Sequence, residues 1–306
     1  MNTLLEEVPG EEPYEKKFAN LHFHTEHSDN MRPVREVIRL GVEEGFRAFG
    51  ITDHDTVGGW RECKEACEEF GVEFMLGAEF YGLAFGVPFH ITAFDFDPET
   101  EEMKNLLSYV KKRNTYPVKT RFDLGVQRGT IRGITWEDVL KRNEGIDFLF
   151  HNHVARTMIE KGLLKPEEKA DFVKENFSKE KVPIPLPYDP PKIEDIISAV
   201  KNAGGVSIMA HPGYQDRQAY MEPLVKLGIG GIELWHPQND AETREKILSL
   251  CEKYPLYISG GTDHHGHMEG YPLYVPGKEN PPRCVPLGKF GVTKEEYEKL
   301  KNRVYG

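Results

Sequence analysis

The chain contains 306 residues, of which 39% are hydrophobic and 29% charged, and its formal net charge at pH 7 is −11. This length and composition predict a globular protein with a large core and exclude a disordered chain. The acidic balance disfavours a broad nucleic-acid-binding surface, but it is compatible with a local basic pocket for a phosphate group. No apolar run is long enough to cross a membrane, and the acidic segment 1–13 lacks the layout of a signal peptide. With only four cysteines, these features favour the cytoplasm.

Short apolar strands alternate with amphipathic helices along most of the chain. Strands are predicted over 18–24, 48–53, 73–78, 89–96, 206–210, 231–235 and 256–259, and helices over 34–45, 60–70, 99–113, 193–203 and 241–254. Cys63 and Cys67 lie four residues apart on a predicted helix, where packing is the favoured role. Strands separated by helices indicate an α/β fold with a parallel sheet, and roughly six or seven such units favour a barrel.

This alternation stops between residues 114 and 187. The segment holds short helical pieces and runs into a Pro-rich stretch at 182–191. We predict an inserted subdomain over 114–187, with a barrel domain formed by 14–113 and 188–306. A basic run surrounds the start of the insertion and includes Lys111, Lys112, Arg113, Lys119, Arg121, Arg128 and Arg132. It either attracts an anionic substrate or forms a solvated helix end, and the sequence leaves both interpretations open.

Histidine and carboxylate side chains recur at the ends of the predicted strands. They include His22, His24, Asp29, His54, Glu79, His90, His211, Asp263 and His265. In a parallel barrel the carboxyl ends of the strands meet at one face, so these residues are expected to share one cup. Each of them alone could be a helix cap or a satisfied polar residue, but so many buried polar groups need partners, which a metal cluster supplies. Imidazole combined with carboxylate suits Zn, Mn or Fe.

The candidates differ in strength. His22, His24, Glu79 and Asp263 are the strongest predicted ligands, because alternation along a strand puts His22 and His24 on the same side. Another group is expected to lie outside the ligand set, in supporting, substrate-contacting or surface positions: His27, His236, His264 and His267.

These motifs resemble those of the polymerase and histidinol phosphatase (PHP) family, in the same order along nearly the whole chain. The motifs are His22-x-His24-x-x-x-x-Asp29, Ile51-Thr52-Asp53-His54-Asp55, Gly77-Ala78-Glu79, Ala210-His211-Pro212 and Asp263-His264-His265. The resemblance implies a distorted (β/α)7 barrel with an inserted subdomain. It also implies the family branch that acts on small metabolites or nucleotides. One departure is His151, which stands where the nucleotide phosphatase branch usually has arginine in an Arg-x-His-x-Ala-Arg segment.

The resemblance further implies two or three divalent transition metals. His22, His24, Glu79 and Asp263 would hold the first metal. Glu79 would bridge to a second metal, which His90 and either His211 or His153 would complete. Asp29, His54 and His265 would hold a third.

The function implied is a metal-dependent phosphoesterase that cleaves a small sugar phosphate or nucleotide, as a phosphomonoester or a cyclic or linear phosphodiester, by attack of a hydroxide bridging the metals. His54 or His265 is a candidate acid for the leaving alkoxide. Arg156 is a candidate phosphate clamp, since its planar fork matches phosphate, although a surface role is nearly as well favoured.

Two other functions stay open. An amidohydrolase-type enzyme cleaving C–N or C–O bonds is disfavoured, because Glu79 occupies the position where such enzymes generally have a bridging lysine. A non-catalytic metal-binding barrel is disfavoured by the intact set of candidate ligands. The sequence does not predict an oligomeric state.

Overall fold

The computed structural model describes residues 17–30, 32–265 and 290–303. The strands are β1 (Ala19–Asn20), β2 (Ala48–Gly50), β3 (Glu73–Met75), β4 (Gly77–Ala84), β5 (Val87–Phe94), β6 (Val206–Met209), β7 (Gly231–Trp235) and β8 (Tyr257–Gly260). The α-helices are α1 (Val34–Glu43), α2 (Trp60–Phe70), α3 (Glu101–Arg128), α4 (Trp136–Arg142), α5 (His151–Glu160), α6 (Lys169–Phe177), α7 (Ile193–Asn202), α8 (Met221–Leu227), α9 (Ala241–Lys253) and α10 (Lys294–Asn302). The predicted mixture of strands and helices is confirmed. Among the described residues, no helix combines the length and the apolar character needed to cross a membrane.

The strands form two sheets. The first is parallel, in the order β1-β2-β3, and the second has the order β4-β5-β6-β7-β8. In the second sheet, β5 is antiparallel to both β4 and β6, whereas β6, β7 and β8 are parallel. The ends of the two sheets are linked by backbone hydrogen bonds. Leu21 N–H donates to the Gly260 carbonyl over 3.0 Å, and Glu79 N–H donates to the Asp53 carbonyl over 3.1 Å.

The expectation of a wholly parallel sheet is wrong at residues 77–94. The strand predicted over 73–78 divides into β3 and β4, and β4 continues to Ala84 before it turns back as β5. Phe85 and Gly86, both with positive φ, form the tight turn between these strands. Two-residue turns of this kind match the twist of antiparallel strands, but they usually contain Asn or Asp rather than Phe, so the sequence signal was weak.

Helix α3 is much longer than predicted. It passes the expected end at Arg113, contains Pro117, and ends before Gly129, which adopts a left-handed φ of 72°. The predicted boundary between barrel and insertion therefore falls inside a continuous helix. Residues of the segment predicted as an insertion nevertheless form an apolar cluster of their own, to which Phe122 and Phe177 belong.

Several smaller predictions are confirmed. Cys63 and Cys67 are buried on the inner face of α2, where they pack in an apolar cluster with α1. Helix α2 ends at Gly71, whose φ of 66° suits glycine. The largest apolar cluster of the described residues includes α7 and strands of the second sheet. This packing fixes the positions of β6 and β7 and of the residues that follow them.

Candidate metal centre

The loops that leave the strands carry most of the predicted site residues to one place. His22 and His24 follow β1, His54 follows β2, and Asp263 follows β8. Parallel strands end at a common edge, which explains why residues far apart in sequence converge here. His90 reaches the same place differently, because it lies within the antiparallel strand β5, opposite Tyr81 of β4.

Glu79 lies at the centre of this convergence and is fully buried. Its carboxylate has five imidazole nitrogens within 3.5 Å. They are His90 Nδ1 at 2.8 Å, His54 Nδ1 at 2.9 Å, His211 Nε2 at 3.0 Å, His22 Nε2 at 3.4 Å and His24 Nε2 at 3.5 Å. A buried carboxylate surrounded in this way has the position expected of a ligand shared between cations.

Two other carboxylates extend the centre. Asp263 Oδ1 lies 3.0 Å from His24 Nε2 and 3.4 Å from His22 Nε2. Asp29 Oδ2 lies 3.4 Å from His265 Nε2 and 3.7 Å from His54 Nε2. Asp263 has a φ of 50°, which is uncommon outside glycine, and backbone strain of this kind concentrates at functional sites.

Four groups of side chains place one ligand atom from each member within 4.8 Å of one another. They are His22, His24, Glu79 and Asp263; His24, Asp29, His54 and His265; His54, Glu79 and His90; and His22, Glu233 and His236. The first group has the same members as the set expected for the first metal. The second contains the set expected for a third metal, with His24 in addition.

The donor atoms fit divalent transition metals. Among the described residues, the buried His22 Nε2 and His24 Nδ1 atoms make no hydrogen bond, although buried polar atoms nearly always have a partner. A metal would use these lone pairs, and the mixture of imidazole and carboxylate suits Zn, Mn or Fe better than Mg or Ca.

The electrostatics of the centre reflect several carboxylates packed among imidazoles. Burial opposes the charge of His54, but Glu79 and Asp29 outweigh it and raise the His54 pKa to about 10. Burial, with the neighbouring His265 and His54, lowers the pKa of His24 to about 3. Glu79 has its pKa well below the usual range, because His90, His54 and His22 outweigh the effect of burial. The negative charge of the carboxylates therefore outweighs burial at His54, whereas burial prevails at His24.

The sequence analysis missed Glu233, which lies in β7 and is fully buried. Its Oε1 accepts a hydrogen bond from His22 Nδ1 over 2.9 Å, and its Oε2 accepts one from the His211 backbone N–H over 2.7 Å. Glu233 thus orients one candidate ligand through its ring and another through its backbone. The available signal was a single acidic residue inside the apolar strand Gly-Ile-Glu-Leu-Trp.

Asp53, which follows β2, has a similar supporting role, because it binds residues of the loop that follows β1. Its carboxylate accepts hydrogen bonds from Thr25 N–H, Thr25 Oγ1 and Ser28 Oγ at 2.6–2.7 Å. These contacts fix the segment between His24 and Asp29.

The structure does not bring His153 or Arg156 into the cluster. His153 Nδ1 accepts from the Phe150 N–H over 2.8 Å and Nε2 donates to the Glu26 carbonyl over 3.0 Å, so both ring nitrogens are engaged by backbone. The geometry thus favours His211 over His153 beside Glu79. Arg156 contacts Glu26 over 2.7 Å and Glu160 over 3.2 Å, so its fork is occupied by two carboxylates of the chain.

The histidines expected to lie outside the ligand set differ among themselves. His27 contacts Glu62 over 3.3 Å and is absent from the groups above. His236 is the exception, since it belongs to the group with His22 and Glu233 and lies 3.5 Å from Asp263. His264 pairs through its backbone with Phe23, and His267 lies outside the described residues.

Fold and site together define an α/β protein with a candidate centre for divalent metals. The family model described as the PHP domain matches residues 20–182, which is just over half of the chain. The chain therefore belongs to the PHP family.

Several known proteins that are similar to this chain cleave phosphate esters. The chain is 24% identical to a phosphoribosyl 1,2-cyclic phosphate 1,2-diphosphodiesterase from Eggerthella lenta, covering 83% of this chain and 96% of the relative. It is also 24% identical to a 3′,5′-nucleoside bisphosphate phosphatase from Chromobacterium violaceum, over 88% and 94%. A 5′-3′ exoribonuclease from Salmonella typhimurium is 26% identical over 80% and 84%.

A crystal structure of a protein from Bifidobacterium adolescentis, provisionally described as a metal-dependent phosphoesterase, superposes with a TM-score of 0.72. It is 28% identical and covers 98% of this chain and 99% of that one. Together these findings class the chain as a metal-dependent phosphoric ester hydrolase. Because one relative is an exoribonuclease, the absence of a broad nucleic-acid surface stays a prediction.

Proposed function

We propose that this hydrolase cleaves a phosphate ester of a small metabolite, either a sugar phosphate or a nucleotide. The observation that carries the proposal is the fully buried Glu79 with imidazole nitrogens on several sides. The names of the relatives from Eggerthella and Chromobacterium support small phosphorylated substrates, as phosphodiester and phosphomonoester respectively. We further propose that the two sheets together form the distorted (β/α)7 barrel, since hydrogen bonds link their edges.

Two of the three proposed ligand sets correspond to groups described above, and the remaining set rests on contacts to Glu79. His22, His24, Glu79 and Asp263 would hold one metal. Glu79, His90 and His211 would hold a second, supported by the two short contacts to Glu79. Asp29, His54 and His265, with His24 nearby, would hold a third.

When bound, the metals would supply Lewis acidity, which polarises the phosphoryl oxygens and activates water. The chain's own residues would hold the metals and determine the electrostatic potential at the centre. Glu79, Asp263, Asp29 and Glu233 bring four carboxylates together at the centre. Metals held there would offset this charge toward an anionic substrate.

Proton transfer to the leaving alkoxide is proposed for His54 or His265. His54 Nδ1 lies 2.9 Å from Glu79 and His265 Nε2 lies 3.4 Å from Asp29, so both rings belong to the centre. Either ring could donate through a nitrogen that no metal occupies, and the matching change in pH profile would identify it.

The test is phosphate release from a panel of sugar phosphates, nucleotides, bisphosphates and cyclic phosphates, with added Mn and parallel metal analysis. We expect release from at least one class by the native chain and none by Asp263→Asn. Asp123→Asn is the matched control, because Asp123 is an exposed residue on α3 that pairs with Lys119. A fully metal-loaded protein that cleaves nothing in the panel would refute the proposal and favour C–N or C–O hydrolysis.

A further inference from the structure

Helix α5 contacts the loop 25–29, which ends at the candidate ligand Asp29. Asn152 Nδ2 donates a hydrogen bond to the Asp29 carbonyl over 3.0 Å, and His153 Nε2 donates one to the Glu26 carbonyl over 3.0 Å. The two donor residues are 5% and 2% exposed, so water competes little for these bonds. Because both acceptors are backbone carbonyls, the contacts fix the path of the loop and with it the position of the Asp29 Cα.

His153 makes a different contact with each ring nitrogen. Nδ1 accepts from the Phe150 N–H over 2.8 Å at the start of α5, so the proton of the neutral ring lies on Nε2. That proton is donated to the Glu26 carbonyl. His153 therefore fixes the beginning of the helix with one nitrogen and the ligand-bearing loop with the other.

The residues on either side of these donors contact the same region. Phe148, just before α5, is 7% exposed, and its ring centroid lies 6.3 Å from that of His54. Arg156, one turn further along α5, pairs with the Glu26 carboxylate over 2.7 Å. Asp29 and His54 both belong to the set proposed for the third metal. This part of the chain thus touches two of the three ligands proposed there.

The ligands proposed for the first metal are supported from other parts of the chain. His22 Nδ1 is bonded to Glu233 of β7 over 2.9 Å, and the His22 N–H donates to Asn20 Oδ1 of β1 over 3.2 Å. The Asp263 N–H donates to the His22 carbonyl over 2.8 Å. These contacts connect the first set to the strands, whereas α5 contacts the third set.

We infer that helix α5 controls the occupancy of the third metal site, with Asn152 and His153 as positioning residues that act through the loop 25–29. The inference rests on the proposed function and its ligand sets. Metal–ligand distances must be correct to within about 0.2 Å, and the Asp29 carboxylate has to face two imidazoles together. A loop released from α5 would therefore lose the third metal, while the first site keeps its own supports.

The experiment measures Mn binding by equilibrium dialysis and elemental analysis, for the native chain and its variants. Asn152→Leu keeps the approximate size of the side chain but removes the donor to Asp29. We expect one equivalent of Mn to bind about 10- to 100-fold more weakly in this variant, and the remaining equivalents to change by less than about twofold. Asp29→Asn identifies the equivalent concerned, and adding Asn152→Leu to Asp29→Asn should cause no further loss of it.

Two substitutions at His153 separate its two contacts. Glutamine places its amide near the position of Nε2 and can donate to Glu26, whereas asparagine reaches only the position of Nδ1 and can accept from Phe150. We expect His153→Asn to weaken the same equivalent of Mn about tenfold or more, and His153→Gln to stay within about threefold of the native chain. The opposite order would overturn the inference, because the beginning of the helix would then matter rather than the loop. These variants also decide the test if Asn152→Leu fails to fold.

Asn143→Leu is the matched control, because Asn143 is 3% exposed and its amide donates to the Val139 carbonyl over 2.8 Å rather than to the loop 25–29. It should lower the denaturant midpoint without changing Mn binding. Unchanged Mn binding in Asn152→Leu and His153→Asn, equal weakening of all equivalents, or fewer than three equivalents in the native chain would overturn the inference while leaving the phosphoesterase proposal intact. A native chain with the expected Mn binding that cleaves no phosphate ester would instead reject the proposed function alone.

Discussion

Replacing Glu233 by glutamine tests whether this residue controls the ligand state of His22. A carboxylate oxygen can only accept at neutral pH, so the 2.9 Å contact requires His22 Nδ1 to donate its proton to Glu233. The lone pair of His22 Nε2 then faces Glu79 and Asp263, each 3.4 Å away. The carboxylate therefore selects the tautomer that can bind a metal.

Glutamine cannot preserve both contacts of Glu233, because its amide has one oxygen and one NH2 group. If the oxygen keeps the 2.7 Å bond from the His211 N–H, the NH2 group faces His22 Nδ1 and favours a proton on Nε2. If the amide is reversed, two donors face each other at His211. The first arrangement keeps both hydrogen bonds but puts the proton on the nitrogen that would bind the metal, whereas the second loses a buried hydrogen bond, which costs about 1–3 kcal/mol. This corresponds to roughly a 5- to 150-fold loss, in agreement with the 10- to 100-fold typical of such supporting residues.

The assay is the metal dissociation constant, measured by competition with a chelator and checked by elemental analysis. We expect metal affinity to fall about 10- to 100-fold in Glu233→Gln, with the helical spectrum unchanged. Glu242→Gln is the control, because Glu242 is 74% exposed on α9 and pairs only across the helix surface with Lys246. A folded Glu233→Gln protein that binds metal within about twofold of the native chain would refute the tautomer argument.

Three further predictions concern the centre and the insertion. Asp263→Asn should keep the fold, since asparagine tolerates the φ of 50°. Its metal content should fall, and phosphate release should drop about 100-fold or more. A variant with a tenth of native activity would contradict this prediction. His151 has a lowered pKa of about 3 and takes up its proton near 6.5 when unfolded, so acidification between these values destabilises the fold by up to about 1.4 kcal/mol per pH unit. Urea unfolding at pH 7 and pH 5 should show a smaller loss for His151→Leu than for the native chain, and equal losses would count against burial as the cause. Gly261→Ala places a Cβ 2.2 Å from the His22 backbone nitrogen. We therefore expect the variant to be destabilised by about 1–3 kcal/mol and to bind metal more weakly. An unchanged denaturant midpoint would show that the loop adapts to the added methyl group.

The structure brings together most of the residues that the sequence singled out, because strand ends are recognisable and converge in space. His22 and His24 follow a short apolar strand, and Asp263 follows another, so their meeting required only that the strands be neighbours. His90 was placed in the right site with the wrong geometry. It lies inside an antiparallel strand, where residues alternate between faces, and its contact with Glu79 depends on register rather than on a strand end.

Supporting residues were harder to predict, because their role depends on partners that no local pattern indicates. Glu233 and Asp53 are single acidic residues near apolar strands, and many such residues are caps or turn formers. Their importance appears only when burial and hydrogen-bond partners are known, for Glu233 through His22 and for Asp53 through Thr25. Conversely, Arg156 looked suitable as an isolated guanidinium, and only the structure reveals Glu26 beside it.

The error at the end of α3 has a physical cause and a functional consequence. The helix was expected to end at Arg113, but it continues through Pro117, because a single proline can be tolerated when both sides of a helix are packed. Met103, near the start of α3, packs in the core of the second sheet, whereas Phe122, near its end, packs in the apolar cluster of the insertion. Between them Asn114 is bonded to Asp55. Because this helix is continuous and packed at both ends, it holds Asn114 in a fixed position beside Asp55, the residue after the candidate ligand His54.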